Sequence, residues 1–500
     1  MKEIRKSFGS VAANNDASLS VELGEIHALL GENGSGKSTL VNMLAGIYSP
    51  DSGSIFIGGR TVSFAAPKEA IDCGIGMVHQ HFKLVDVFTA KENIAAGREK
   101  GFWLRGRRLS EKIQAIADKY GLAIDPDKKV YDMSVGEKQT VEIVKMLYRG
   151  ANVLILDEPT AVLTPQETKV LFQILKNMKQ HGCAIILITH KLREVMEISD
   201  RVTVLRKGET IGTVRTKDTT PRALTEMMVG RPLELKIERV RAEPAMEPIL
   251  TVGRLSAADS HGRNVLKDIS FVLRGGEILG VAGIAGSGQK ELCEVLAGLY
   301  KANGGRVRFL GEEILGLSPR EILRRGISMS FVPEDRLGMG LVAGMDITSN
   351  VLLRSFQKDG GFFLDLPGGR KKAERIVKRY DISTPSVDHV LKDLSGGNIQ
   401  KVLLGREVEL NPKLLITAYP VRGLDIGASY HIYDILNAQK KAGVAVLFIG
   451  EDLDVLLQLC DRLMVIHGGR IMGIVDPLTT SKEEVGLLML GQSEKGGNAK

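Results

Sequence analysis

An α/β fold built twice in one chain is what these 500 residues predict. Two observations carry it: an internal repeat that spans most of the sequence, and short β-branched runs that alternate with helical stretches inside each copy. Gly24-Glu25-Ile26-His27-Ala28-Leu29-Leu30-Gly31 matches Gly276-Glu277-Ile278-Leu279-Gly280-Val281-Ala282-Gly283 at an offset of 252, and each is followed by a Gly-Ser-Gly loop. Ser134, His190 and Asp200-Arg201 match Ser395, Glu451 and Asp461-Arg462 at an offset of 261. The strand-like runs 153–156, 185–189 and 202–205, and in the second copy 445–449 and 463–466, alternate with helical stretches such as 168–180 and 429–440. Strands that alternate with helices form a parallel sheet covered on both faces.

Composition narrows the class. A hydrophobic fraction of 43% and a charged fraction of 25% are ordinary globular values, so neither disorder nor a fibrous repeat explains the chain. Its apolar runs fall far short of the roughly 20 residues that span a bilayer. The opening Met1-Lys2-Glu3-Ile4-Arg5-Lys6 lacks the apolar stretch and cleavage site of a secretory signal, so export is not expected. Cys73, Cys183, Cys293 and Cys460 lie far apart without a Cys-x-x-Cys pair, which argues against zinc and disulfides and fits a reducing cytoplasm. The net charge of +7 is mild and spread. It reads as a solvated surface, with nucleic acid or an anionic membrane surface as the alternatives.

The expected organisation is a first domain over 1–230, a linker over 231–247, a second domain over 248–490 and a flexible tail over 491–500. The linker assignment rests on Pro232, Pro244 and mixed charges without apolar periodicity. Helical spacing over about 86–131 predicts a helical subdomain set into the first sheet domain. The strand-like Ile249-Leu250-Thr251-Val252 has its counterpart before residue 1 at the 252 offset, so the first edge strand of copy 1 reads as clipped.

Gly31-Glu32-Asn33-Gly34-Ser35-Gly36-Lys37-Ser38 fits G-x-x-x-x-G-K-[ST], between a strand at 26–30 and a helix at 39–46 that opens with Thr39. Such a loop surrounds phosphate oxygens with backbone N–H groups and a helix N-terminus, while Lys37 reaches the β and γ phosphates and Ser38 binds magnesium. Val153-Leu154-Ile155-Leu156-Asp157-Glu158 is a buried strand with two carboxylates at its C-terminal end, where open α/β sheets bind ligands. Asp157 reads as a magnesium ligand through a water, and Glu158 as the group that orients or deprotonates the attacking water. A carboxylate cap for the next helix is the structural alternative.

Gln80 after a short strand, Ser134-Val135-Gly136-Glu137-Lys138-Gln139 opening a helix, Leu156-Asp157-Glu158-Pro159-Thr160, and His190 after the strand at 185–189 resemble the Q-loop, signature, Walker B and H-loop of an ABC-type ATPase. The resemblance covers essentially residues 1–490. It implies two tandem P-loop ATPase domains that use ATP and Mg2+, each a mostly parallel sheet core with antiparallel edge strands and a helical subdomain. It also implies that Gln80 contacts magnesium and signals nucleotide state to a permease, that His190 holds the γ-phosphate, and that Phe8 stacks on adenine.

The copies differ where the resemblance places chemistry. Copy 2 has Gln289 and Lys290 for the phosphate lysine and the magnesium hydroxyl, Ala418 and Tyr419 for the Walker B carboxylates, Glu334 for Gln80 and Glu451 for His190. It keeps the signature Leu394-Ser395-Gly396-Gly397-Asn398-Ile399-Gln400, whereas copy 1 has Val135 at the first glycine. ABC ATPases hold nucleotide between the Walker A of one domain and the signature of the other. Sorted that way, one site takes Lys37, Ser38, Gln80, Asp157, Glu158 and His190 with Ser395, Gly396, Gly397 and the D-loop-like Asp425, and each residue matches the family pattern. The other site collects every departure, Val135 and Thr164 included. A 17-residue linker spans at most roughly 55 Å, enough for the copies to face each other.

Two fused ATPase domains without a span look like the ATP-binding subunit of an importer, peripheral on the cytoplasmic face of the membrane. Its partners would be transmembrane permease subunits and, indirectly, an extracytoplasmic solute-binding protein, with no direct nucleic acid. Met77-Val78-His79-Gln80-His81-Phe82-Lys83-Leu84-Val85 resembles the Q-loop of nucleoside importers. The alternatives are a ribose- or galactose-type importer ATPase, and a twin-domain protein acting on the ribosome or nucleic acid.

Overall fold

The computed structural model describes residues 1–9, 11–79, 82–97, 106–160, 163–189, 191–230, 237–240, 245–324, 329–354 and 364–492. The chain divides into two units, Met1–Glu234 and Leu235–Lys500. The first unit contains β1 (Lys2–Phe8), β2 (Val11–Ala17), β3 (Ile26–Gly31), β4 (Ser52–Ile57), β5 (Arg60–Val62), β6 (Ile75–Val78), β7 (Val153–Asp157), β8 (Ala184–Ile188), β9 (Arg201–Arg206) and β10 (Glu209–Arg215). The second contains β11 (Pro248–Ala258), β12 (Asn264–Arg274), β13 (Ile278–Ala282), β14 (Gly304–Phe309), β15 (Glu312–Glu313), β16 (Met329–Val332), β17 (Leu414–Ala418), β18 (Ala445–Ile449), β19 (Arg462–His467) and β20 (Arg470–Val475).

The central sheet of the first unit runs β10-β9-β3-β8-β7-β6, and that of the second runs β20-β19-β13-β18-β17-β16, the same order. All neighbours are parallel except the edge pairs β9/β10 and β19/β20. A smaller antiparallel sheet accompanies each, β2-β1-β4-β5 and β12-β11-β14-β15. Successive side chains of a strand point to opposite faces. Accordingly Leu154 and Leu156 of β7 join one core with the helical subdomain, while Ile155 joins another with Leu40 and Val41 of the helix Lys37–Leu44. Burial on both faces explains why these strands read as unbroken apolar runs.

The edge strand read as clipped is present. β1 pairs with both β2 and β4, and differs from β11 in having seven residues against eleven. The helical subdomain of the first unit contains helices Ala90–Ala95 and Gly106–Tyr120, and Ile94, Ile113 and Ala117 pack with Val144 of the helix Val135–Tyr148.

Asp200-Arg201 and Asp461-Arg462, two of the repeat's landmarks, turn out to be structural clips. The Asp200 carboxylate accepts the Ile26 N–H (2.9 Å) and the Lys179 ammonium (2.6 Å), and Asp461 repeats this with Ile278 N–H (2.8 Å) and Lys440 (2.5 Å). The clip fixes the start of the strand that leads into each phosphate-type loop. Lys440 is fully buried, so removing its partner would leave an uncompensated charge at a cost of about 3–5 kcal/mol.

Part of the expected linker is docked on the second unit. Ile237 joins its core, the Arg239 guanidinium donates to the Gln458 and Leu457 carbonyls, and Asn437 donates to the Glu238 carbonyl at 2.9 Å. The 17-residue segment is therefore not free along its whole length. Of the expected tail, residues 493–500 lie outside the described residues.

Candidate functional site

β3 is buried throughout and ends in the loop that enters the helix Lys37–Leu44. The loop depends on glycine at Gly36, where φ is +94° and a Cβ would lie 2.3 Å from the Ala13 carbonyl oxygen. Gly31 is as crowded, with a Cβ position 2.4 Å from the Leu205 oxygen. Asn14 Nδ2 donates to the Gly36 carbonyl at 3.3 Å, and the Gly208 N–H donates to the Ser35 carbonyl at 3.1 Å, so the neighbouring β2 and the β9–β10 turn hold the loop from outside. No side chain caps the helix, which leaves its first N–H groups directed at the loop. Glu32, Asn33 and Gly34 form its outer turn.

Lys37 is 6% exposed, and its ammonium donates to the Gly31 and Glu32 carbonyls at 2.8 Å each. Burial lowers its pKa to about 8, against the opposing pull of Glu158, Asp157 and Glu32. Across the site, burial and then the Glu158 charge raise the Asp157 carboxyl to about 6, while Lys37 pulls it down. A buried lysine thus faces two crowded carboxylates, with Lys37 and Asp157 each shifting the titration of the other. Ser38 is exposed at the helix start, Thr39 is half-buried behind it, and the buried Ser35 hydroxyl has no hydrogen-bond partner among the described residues. These observations fit a polyphosphate and its metal. Magnesium is held by one or two carboxylates plus substrate phosphates rather than by an all-protein cage. Correspondingly, no cluster of three His, Cys, Asp or Glu side chains forms such a cage among the described residues.

Glu158 sits at φ +46°, its N–H donating to the Ile188 carbonyl at 2.9 Å, which turns the chain sharply at the end of β7. Tyr419 has the same geometry, φ +50° and a 2.9 Å bond to the Ile449 carbonyl. The structural alternative raised for the carboxylate pair, a helix cap, falls instead to Thr164. It opens the helix Pro165–Gln180 in a capping box with Glu167.

Gln80 and His190 lie outside the described residues. Their neighbours reveal a feature the sequence reading missed. Lys191 donates to the Thr160 carbonyl at 3.0 Å and pairs with Glu194 at 3.1 Å, while the Thr160 hydroxyl donates to Glu194 at 2.6 Å. This clip ties the segment after His190 to the segment after Glu158. Phe8 is 45% exposed at the end of β1, edge-on to Tyr48 with ring centroids 5.3 Å apart and with the Lys6 ammonium over its ring at 5.7 Å.

In the second unit, Ser395 caps the helix Gly396–Val408 through its hydroxyl, which accepts from Asn398, and no acidic residue stands in the first turn. In the first unit Ser134 is locked in a capping box by Glu137, whose carboxylate already occupies the positive helix end. The second helix start is therefore the one suited to an anion. Asp425 caps the helix Ile426–Lys441 by accepting the Ala428 N–H at 2.7 Å, and its other oxygen lies 3.7 Å from the Cβ position of Gly397. Thr164 and Asp425 thus share a capping role, which is why the substitution between copies leaves the turn intact. Gln400, expected among the nucleotide-binding residues, is fully buried one turn into its helix, and neither atom of its amide has a hydrogen-bond partner among the described residues.

The degenerate half keeps the shape and loses the charges. Gln289 is buried with its amide folded against Gly283, Ala418 is buried, and burial pushes the Tyr419 phenol up. Lys290 is exposed and only loosely paired with Glu294 at 3.9 Å.

Comparisons with known proteins agree with this architecture. The ABC transporter family profile matches twice, over residues 14–161 and 266–420. The guanosine import ATP-binding protein NupO of Bacillus subtilis is 47% identical over 99% of this chain and 98% of its own length. The nucleoside import ATP-binding protein NupA of Lactococcus lactis is 44% identical over 98% and 97%. The glucose import ATP-binding protein TsgD13 of Haloferax volcanii is 41% identical over 100% and 96%. With a glycine-built phosphate loop, a buried lysine opposed to paired carboxylates and the same sheet order in both halves, the chain belongs to the ABC transporter ATP-binding family and carries that family's domain twice.

Proposed function

We propose that this protein is the ATP-hydrolysing subunit of an importer that energises uptake of a nucleoside through separate permease subunits. The observation that carries the solute class is the full-length similarity to relatives named for guanosine and nucleoside import, at 47% and 44% identity, ahead of the glucose relative at 41%. In this reading one composite site does the chemistry. Copy 1 supplies Lys37 and the loop N–H groups to hold the phosphates, Ser38, Gln80 and Asp157 to hold Mg2+, Glu158 to direct water, and His190 to hold the terminal phosphate. Copy 2 supplies Ser395, Gly396, Gly397 and Asp425. Bound Mg2+ would neutralise phosphate charge as the terminal bond breaks.

The permease partner is supported by exposed apolar residues that follow the Q-loop position in each unit, Val85, Val87 and Phe88 in the first and Met339, Val342 and Met345 in the second. Exposed apolar groups clustered on one segment mark docking surfaces. No described helix is long and apolar enough to cross a membrane, so the span would come from that partner, with this subunit peripheral at the cytoplasmic face. The test is co-expression with candidate permeases and a solute-binding protein. A nucleoside delivered by its binding protein is expected to stimulate ATP turnover, and stimulation by a sugar alone would transfer the chain to the sugar importers.

A second expectation concerns the degenerate half. Lys290→Ala should leave kcat and KM for ATP within about twofold of wild type, as for an ordinary surface change. A fall as large as that of Lys37→Ala would show that copy 2 holds a turning-over nucleotide.

A further inference from the structure

In the second unit, the residues standing at the Gln80 and His190 positions are held together by a residue of the chain itself. The Arg422 guanidinium pairs with Glu334 through Nη1 and with Glu451 through Nε at 3.3 Å. The Arg422 carbonyl in turn accepts from Arg336, whose guanidinium lies 3.2 Å from the Cβ position of the signature Gly396. All of this borders a cavity of about 460 Å³ walled by Lys290, Tyr419 and the two arginines. The first unit has no such pairing available, because the residue corresponding to Arg422 is Ala161. There the segment after His190 is tied instead by Lys191, Thr160 and Glu194. In the second unit those three positions are Asp452, Val421 and Val455, which cannot form that clip.

Charge has been exchanged as well as lost. A metal-bound phosphate faces a neutral amide and an imidazole in the copy 1 reading, whereas in copy 2 two carboxylates face a guanidinium. We infer that Arg422 is the built-in occupant of the second site: clasped between Glu334 and Glu451, it joins the Q-loop and H-loop positions of copy 2 without nucleotide, and the site takes no Mg-triphosphate. The carboxylates that hold the guanidinium would repel phosphate oxygens, Gln289 supplies no buried cation inside the loop, and of the other cations on the cavity wall Lys290 is paired with Glu294 and Arg336 is bonded to the Arg422 carbonyl. Through Arg336 the same clasp reaches the start of the signature helix, making Arg422 a positioning residue for Ser395, Gly396 and Gly397. This last consequence rests on the composite-site reading above; the clasp does not.

The test uses full-length protein and amide hydrogen exchange without nucleotide. Half-exposed ion pairs are individually weak, so Arg422→Ala should speed exchange over residues 334–340 and 451–459 by about three- to tenfold, with Arg422→Lys recovering part of the protection. Glu334→Gln/Glu451→Gln should reproduce the effect with the arginine retained, which covers the case of a poorly folding Arg422→Ala. Unchanged exchange in these variants overturns the clasp. Faster exchange with unaltered kcat keeps the clasp and removes the composite pairing, whereas faster exchange with a lower kcat, unchanged KM for ATP and rescue by lysine supports both. Equilibrium binding of Mg-ATP to the Lys37→Ala chain supplies the remaining arm. At ATP concentrations near the wild-type Kd, well below the raised Kd of the first site, no saturable binding is expected, and one retained nucleotide per chain there would overturn exclusion from the second site.

Discussion

Glu158→Gln should stop ATP turnover while leaving nucleotide bound, with kcat falling by about 10²- to 10⁴-fold, the scale of a lost general base. The amide copies the shape of the carboxylate, and the backbone turn at φ +46° is held by the Ile188 carbonyl rather than by the side chain, so the fold is unaffected. What changes is charge. Glu158 raises the neighbouring Asp157 carboxyl, so its neutralisation lets that carboxyl titrate lower and stay ionised toward a metal. Binding is therefore kept or tightened while the water loses its director. Single-turnover measurement with nucleotide retention on a filter separates the two effects. Turnover above about a hundredth of wild type would remove Glu158 from that role.

Lys37→Ala acts at the opposite step. It deletes an ammonium that burial, the loop carbonyls and two carboxylates surround inside the phosphate loop, and removes the donor that the Gly31 and Glu32 carbonyls accept from. Charge-assisted hydrogen bonds are worth about 1.5–3 kcal/mol each, so losing contacts to two phosphates should raise the Kd for ATP at least about a hundredfold. Asp157 and Glu158 would also face each other without a cation between them, which pushes Asp157 further toward its protonated form. Titration with a fluorescent ATP analogue measures the loss, and a Kd within about tenfold of wild type would show that the lysine does not carry phosphate binding.

What the sequence displayed best were features written locally. The loop from Gly31 to Ser38 is contiguous, and strands β7, β8 and β18 are buried on both faces, so their apolar runs mark them within a residue or two at each end. Features made by distant pairing were invisible. Arg422 meets Glu334 across 88 positions, and nothing near either residue in the chain announces it. The role of Asp425 as a cap could have been read from its place before a helical stretch, since Asp is a strong N-cap residue. The burial of Gln400 was not legible either, because a linear motif does not show which of its side chains the packing around the helix covers. Ile237 was hidden for a different reason. The few apolar residues of that segment are interleaved with charges and show no helical periodicity, yet Ile237 docks the expected linker.

The turn shared by Glu158 and Tyr419 bears on how reversible the loss in copy 2 is. A non-glycine residue held at φ near +50° costs of order 1–3 kcal/mol. That cost is still met at Tyr419, beside a strand end that no longer presents a carboxylate. The peptide path of an ATP site has thus outlasted its reagents in the second half. Rebuilding a second catalytic centre there would call for side-chain replacements on an existing backbone, and the first of them would have to evict Arg422.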